Sequence, residues 1–153
     1  MDRTVIGKQY PAPETYEVGR EHIRQFADAI GDDSPLYRDP AAARAAGHRD
    51  VVAPPTFLHA LGFRFREPNP LTDPAVGVDY SRIVHGEQGF DAHRPVYAGD
   101  VLTMVTTITD IRDAGKNELL VTETSIADQD GEPVATLTAT LVSRGTAASK
   151  EDQ

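Results

Sequence analysis

The 153-residue chain contains no cysteine, which removes disulfides, thiolate nucleophiles and thiolate metal sites together. The same absence says little about compartment, because cytosolic proteins have no need of the residue. No stretch approaches the roughly 18 apolar residues of a membrane helix. The N-terminal Met1-Asp2-Arg3-Thr4-Val5-Ile6-Gly7 lacks a basic region followed by an apolar run, so the expectation is a cytoplasmic protein with no membrane insertion. A basic excess is also missing. The formal net charge is −9, which argues against a sequence-independent grip on the phosphates of nucleic acid. No His-x-x-x-His pair or His/carboxylate cluster occurs, and no metal or other cofactor is expected.

What is present suits one domain, large enough for a real core and too short for two. Gly19 precedes apolar residues Ile23, Phe26, Ala27 and Ile30 at helical spacing, and Gly31 follows them, so a first helix is expected there. The charges of Glu21, His22 and Arg24 fit its solvated outer face. Asp39-Pro40 supplies an N-cap and a first-turn proline for a short alanine-rich helix through Ala46, which Gly47 closes. Pro54-Pro55-Thr56 then precedes Phe57, Leu58, Leu61, Phe63 and Phe65. This segment is apolar enough to be buried on most faces and predicts a central helix over about 55–63. Residues 67–80 carry Pro68, Pro70, Pro74 and Gly77 and read as a long irregular excursion within the domain.

From Arg82 onward the apolar period becomes two. Leu102, Met104 and Ile108 share one strand face, and Ala135, Leu137, Ala139 and Leu141 share another. Threonines fill much of the rest. Turn chemistry at 113–117 and 128–131 separates expected strands near 101–112, 118–127 and 133–143, with one more near 82–93. One buried helix followed by antiparallel strands makes an α+β domain whose sheet can wrap the helix. The domain is expected over 1–145, with 146–153 as a disordered polar tail.

The run Gly31-Asp32-Asp33-Ser34-Pro35-Leu36-Tyr37, with Asp39-Pro40, the alanine helix and the Pro54-Pro55-Thr56-Phe57 helix start, resembles the MaoC-like hot-dog family over roughly residues 5–143. That family contains (R)-specific enoyl-thioester hydratases and (3R)-hydroxyacyl-carrier-protein dehydratases. Its members carry Asp-x-Asn-Pro-x-His, then Asp, an alanine-rich helix and an apolar-His-Gly entry to the central helix. Asp32 and Pro35 match, as do Asp39 and the helix that follows. The resemblance implies a single hot-dog fold acting on an acyl-CoA or acyl-carrier thioester.

Two departures fall where the family's chemistry sits. Tyr37 stands in place of the histidine, and a phenol with an ordinary pKa near 10 replaces poorly an imidazole that takes and gives a proton. Ala53-Pro54 stands in place of the His-Gly, and proline lacks the N–H that would face the thioester oxyanion. Loss of one such donor costs on the order of 100- to 1000-fold in rate.

Val84-His85-Gly86-Glu87-Gln88, followed by His93-Arg94-Pro95 and Gly99-Asp100, resembles more specifically the FAS1-like dehydratase N-terminal type. This is the UPF0336-like, non-catalytic subunit of heterodimeric (3R)-hydroxyacyl dehydratases. The resemblance implies a catalytic hot-dog partner, with this chain completing the sheet and enclosing the acyl chain. It places substrate contacts at Tyr37, Pro55, Thr56, Phe57, His85 and Gly86 and leaves Asp32 as the remaining catalytic candidate. Each also has a structural reading: Asp32 before Ser34-Pro35 is ordinary turn chemistry, and His85 is a strand histidine that either meets substrate, pairs with Tyr37 or is satisfied structurally. His22 and His59 are expected to be structural or exposed. Arg94 is either a solvated strand-end residue or a contact to a carrier phosphate. An acidic carrier protein would need a local basic patch, for which Arg64, Arg66, Arg82, Arg94 and Lys116 are candidates. Two alternatives remain open: a homodimeric acyl-thioester binding protein without turnover, and a homodimeric hydratase using Asp32, Tyr37 and His85.

Overall fold

The computed structural model describes residues 1–64 and 68–147. Phe65, Arg66, the side chains of Phe63 and Arg64, and the expected tail from residue 148 onward lie outside the described residues.

Helix α1 spans Arg20–Ala29, entered from an extended Gly19, and Gly31 takes the left-handed conformation just after it, at φ +71°. Ile23 and Ala27 face inward, whereas Ile30 is the C-cap residue and half exposed. His22 is not on the solvated face. It bonds the Tyr16 hydroxyl and meets the Phe57 ring edge-on at 5.0 Å. Phe26, one turn further, meets the same ring at 5.5 Å, because i and i+4 share a helix face. Helix α2 spans Pro40–Ala45, with the Asp39 carboxylate accepting from the Ala41 N–H at 2.8 Å and Gly47 at φ +90° after it. Helix α3 spans Phe57–Arg64, a start two residues later than the sequence predicts. Pro54 and Pro55 have no N–H, and the Pro54 carbonyl instead accepts from the Phe57 N–H at 2.9 Å in a turn ahead of the helix.

Among the described residues six antiparallel strands form one sheet: β1 Gln9–Pro11, β2 Tyr16–Glu17, β3 Ile83–Ala92, β4 Val101–Ala114, β5 Asn117–Asp128 and β6 Pro133–Ser143. The order is β1-β4-β5-β6-β3, with β2 also on β4. The four long strands match the expected ones. Strands β1 and β2 are too short to show a two-residue period. The result is an α+β hot-dog domain in which the sheet curls around α3.

The main core joins Phe57, Leu58 and Leu61 of α3 to Ile23 of α1 and to the inner face of the sheet at Leu102, Met104, Ile126 and Leu137. A second cluster gathers Tyr10, Val76, Ile108, Ile111 and Leu120. Val76 belongs to the long excursion, which is therefore packed down and not a free loop. Asp73 pins it further, accepting from Lys8 Nζ at 2.5 Å, from the Tyr10 hydroxyl at 2.8 Å and from the Ala75 N–H at 2.9 Å. These donors, the Lys8 ammonium first, hold the Asp73 carboxyl at about 2, below its ordinary value of 3.8.

Two outcomes follow. Phe57 is fully buried, and Phe57→Ala is expected to cost about 3–5 kcal/mol in a denaturant titration. Asp73 has a depressed folded pKa, so its anchoring is complete above its unfolded value and is lost as pH falls from about 4 towards about 2. Hydrogen-exchange protection over 71–78 should decline through that window in the parent protein, and Asp73→Asn should show the lower protection already at pH 7. Equal protection in the two proteins at pH 7 would refute the anchoring.

Candidate functional site

The inner face of the sheet is uneven, and this creates space. Along β4 it runs Leu102, Met104, Thr106, Ile108; along β5, Leu120, Thr122, Thr124, Ile126; along β6, Ala135, Leu137, Ala139, Leu141. Small residues therefore meet in the middle: Thr106 opposes Thr124, and Thr122 opposes Ala139. On the helix side the facing position is Gly62. Too little side-chain volume remains there to fill the gap, and a cavity of about 290 Å³ lies between α3 and the sheet. Asn69, Pro70, Leu71 and Tyr80 of the excursion line it as well.

Strand β3 supplies the most polar side of the cavity. Between His85 and Glu87 its register against β6 shifts by one residue, leaving Gly86 in a β-bulge. Alternation would put His85 and Gln88 on opposite faces. The bulge puts both on the cavity face, opposite Leu141 and Ala139. Glycine suits the bulge because a Cβ there would lie 3.0 Å from the Thr140 carbonyl oxygen. His85 stands edge-on to His59 of α3, ring centroids 5.9 Å apart, and His59 in turn faces Phe90 at 6.2 Å. Burial, and next the proximity of His85, lower the pKa of His59 from its ordinary 6.5. The Thr106 and Thr124 hydroxyls bond each other at 2.8 Å. Among the described lining residues there is no lysine, arginine, aspartate or glutamate.

The other sequence-derived candidates lie away from this lining. The Asp32 carboxylate accepts from the Ser34 N–H at 3.0 Å, closing the turn after α1. Tyr37 ends the short 3₁₀ turn Pro35–Tyr37 and packs on the main core; burial, and then the Asp32 charge, raise its phenol pKa. Pro55 and Thr56 are exposed at the entry to α3, and Phe57 is sealed in the core. His85 lines the cavity and Gly86 shapes its wall. His59, Gln88 and the threonines were not singled out from sequence as lining residues. Their signal was there, as polar residues interrupting an otherwise apolar inward period.

Arg94 belongs to an internal clamp. It donates to Asp100 at 2.8 Å and to Asp128 at 3.1 Å, and Asp100 also accepts from Arg49 and from the Tyr97 N–H. Its guanidinium is committed to these two carboxylates and does not stand free for a carrier phosphate. Arg82 and Lys116 do come together, with Arg144, around a shallow cleft beside the β4–β5 turn. Among the described residues no three potential ligands converge as a metal site would require, and no helix is long and apolar enough to cross a membrane.

Residues 4–137 match the family model described as FAS1-like, dehydratase domain region. A UPF0336 protein of Saccharopolyspora erythraea is 49% identical over 153 residues, covering 100% of this chain and 97% of that protein. Another, from Parafrankia sp., is 51% identical over 152 residues, covering 96% and 97%. Among solved structures, a MaoC-like dehydratase superposes with a TM-score of 0.83 at 34% identity, covering 92% of this chain and 42% of that one. A chain of the HadBC (3R-hydroxyacyl-ACP dehydratase) complex from Mycobacterium tuberculosis superposes with a TM-score of 0.79 at 32% identity, covering 93% and 98%.

The paired histidines carry a direct expectation. In an NMR titration His59 should protonate below 6.5, and His85→Gln should move its midpoint upward. Because the folded value lies below the unfolded one, stability should decline as pH falls below about 6.5. A midpoint in the parent protein at or above 6.5 would contradict this environment.

Proposed function

Because the chain belongs to the FAS1-like dehydratase family of MaoC-like hot-dog proteins, we propose that it is the acyl-chain-enclosing, non-catalytic subunit of a (3R)-hydroxyacyl-thioester dehydratase, acting in the cytoplasm in fatty-acid or related lipid metabolism. The observation that carries this reading is a mismatch within one domain. A cavity fit for an acyl chain is present, while the positions that would carry acid, base and oxyanion donor hold a turn-bound Asp32, a core-packed Tyr37 and two prolines.

The reaction assigned to the complex is loss of water from a 3-hydroxyacyl thioester to give a trans-2-enoyl thioester, and its reverse. A general base removes the α-proton while an acid delivers a proton to the departing β-hydroxyl, and an N–H donor steadies the enolate-like oxygen. In this chain Phe57 N–H is engaged by the Pro54 carbonyl, and Pro54 and Pro55 have no N–H to give. A partly buried phenol with a raised pKa is a poor proton shuttle at neutral pH. The chemistry is therefore assigned to the partner subunit, and the cavity behind α3 holds the rest of the acyl chain out of water. Substrate contact is assigned to His85 and Gly86 on the cavity wall, to Pro55 and Thr56, exposed at the entry to α3, and to Tyr37 of the preceding turn; Phe57, expected from the resemblance to touch substrate as well, is sealed in the core and acts there by holding α3 in place.

Strand β3 supplies the place for that partner. It is a ten-residue edge strand with Val84 and Phe90 about two-fifths exposed, and a second hot-dog sheet added there would satisfy its free backbone groups and cover both side chains. The HadBC and ChsH1-ChsH2 structures, both similar to this chain, are each complexes by name, which supports a hetero-oligomer.

The test is hydration of trans-2-enoyl-CoA, followed by loss of enoyl absorbance, for this protein alone and co-expressed with a homologue carrying the intact Asp-x-Asn-Pro-x-His and His-Gly motifs. The protein alone should be at least about 100-fold slower than the complex, and Asp32→Asn should change the rate of the complex by less than about twofold. Robust activity alone, abolished by Asp32→Asn, would overturn the reading. An unchanged rate with every such partner, together with tight acyl-CoA binding, would favour an acyl-thioester binding protein without turnover.

A further inference from the structure

Resting on that subunit reading, we propose that the cleft bounded by Arg82, Lys116 and Arg144 is a docking surface for an acidic carrier protein, which brings the acyl thioester to the partner's catalytic site. The argument starts from charge. The chain has a formal net charge of −9, and among the described side chains every arginine and lysine is paired with a carboxylate except Lys116 and Arg144. Both line the same cleft. Arg82 joins them there, sharing its charge with Asp79 at 3.1 Å. Glu118, the nearest acid on β5, is buried and bonded to the Met1 amino group, and Asp113 is taken by Arg3. The backbone holds the three cations together. The Arg144 N–H donates to the Arg82 carbonyl at 3.1 Å, the Ala147 N–H to the Lys116 carbonyl at 3.2 Å, and the Gly145 N–H to Oδ1 of Asn117 at 3.0 Å. Cations gathered with one carboxylate among them repel one another, and an anionic occupant relieves that repulsion.

Exposure points to the kind of anion. Lys116 and Arg144 are exposed, and the Arg82 side chain is 52% exposed. A small phosphate ester is gripped by enclosed, bidentate donors, whereas solvated cations around a shallow cleft steer and orient a broad acidic surface. The turn Tyr80–Arg82 links this cleft to the cavity, with Tyr80 on the cavity lining and Arg82 at the cleft. Tyr80 is 71% exposed and is a residue type enriched at protein interfaces. Position supplies the rest. The cleft lies at the Ile83 end of β3. The entry to α3 lies towards the other end, where the Ala53 N–H donates to the carbonyl of Val96, just past Ala92, at 2.8 Å. Two like sheets joined through this strand, with both helices on one face, are related by a two-fold axis normal to the sheet, so the strands run antiparallel. The Ile83 end of this β3 then meets the far end of the partner's, and the cleft flanks the entry to the partner's central helix. A subunit without a working site of its own thereby supplies the landing surface for the site beside it.

The complex with the motif-bearing homologue is assayed on trans-2-octenoyl carrier protein and on trans-2-octenoyl-CoA. The parent is compared with the double variant Lys116→Glu, Arg144→Glu and with the charge-conserving Lys116→Arg, Arg144→Lys, and assembly of each is checked by gel filtration. Charge reversal should raise KM for the carrier-protein substrate about tenfold at unchanged kcat and weaken its dependence on ionic strength. KM for the CoA substrate should change by less than about twofold, and the charge-conserving variant should match the parent. If the reversed variant does not assemble, Lys116→Gln, Arg144→Gln should raise the same KM about threefold. Equal losses on both substrates would assign the cleft to a shared phosphate or to structure and overturn the inference. An unchanged KM for the carrier protein, or a parent complex active on the CoA substrate alone, would do the same, and the subunit reading survives each of these results. A parent complex inactive on both substrates overturns the subunit reading, and this inference with it.

Discussion

Burial of α3 against the inner face of the sheet is the constraint from which the rest of the architecture follows. Phe57 and Leu61 are fully enclosed, and each sheds its water only if the sheet curls far enough to surround a helix of eight residues. Once it does, the N-terminal elements have one remaining apolar surface to cover. Helix α1 covers it by laying Ile23, His22 and Phe26 over the Phe57 ring. The same curl leaves the face of α3 that carries Leu58, His59 and Gly62 opposite a part of the sheet where threonine and alanine replace leucine and isoleucine. Packing is complete around Phe57 and Leu61 and incomplete on that face, and the incompleteness is the cavity.

A second constraint is a single unpaired residue. Removing the bulge at Gly86 would restore alternation along β3 and turn either His85 or Gln88 out of the cavity. The run His85-Gly86-Glu87-Gln88 thus has a geometric meaning. Two polar side chains three positions apart, which an ordinary strand places on opposite faces, line one wall. The glycine between them tolerates the close approach of the Thr140 carbonyl.

Charged residues in this acidic chain mostly hold irregular segments in place. Asp73 fastens the excursion that lines the cavity to Lys8 and Tyr10 near the first strand. Asp100, buried behind the turn into β4, collects Arg49, Arg94 and the Tyr97 N–H, and Arg94 extends the link to Asp128 at the end of β5. A buried carboxylate is tolerable when its lone pairs are matched in this way, and the match ties three chain segments together, at Arg49, 94–100 and Asp128. Neither cluster contacts the cavity directly, yet both set the positions of segments that bound it.

The sequence by itself determined the class and order of the elements. Helical spacing at Ile23, Phe26 and Ala27, the Asp39-Pro40 cap with its closing Gly47, and the two-residue period of β3 to β6 are local signals, and each arises from the chain's own geometry. The doubtful chemistry at Tyr37 and Pro54 was legible for the same reason, since a missing N–H or imidazole is a property of the residue itself. Only the tertiary structure decided where the space lies and what faces it. The inward turn of His22 onto Phe57, the pairing of His59 with His85, and the commitment of Arg94 to Asp100 and Asp128 all depend on contacts between segments distant in the chain. The bulge that sets the cavity wall is a register shift against β6, and a register is a relation between two strands that neither strand's own pattern contains.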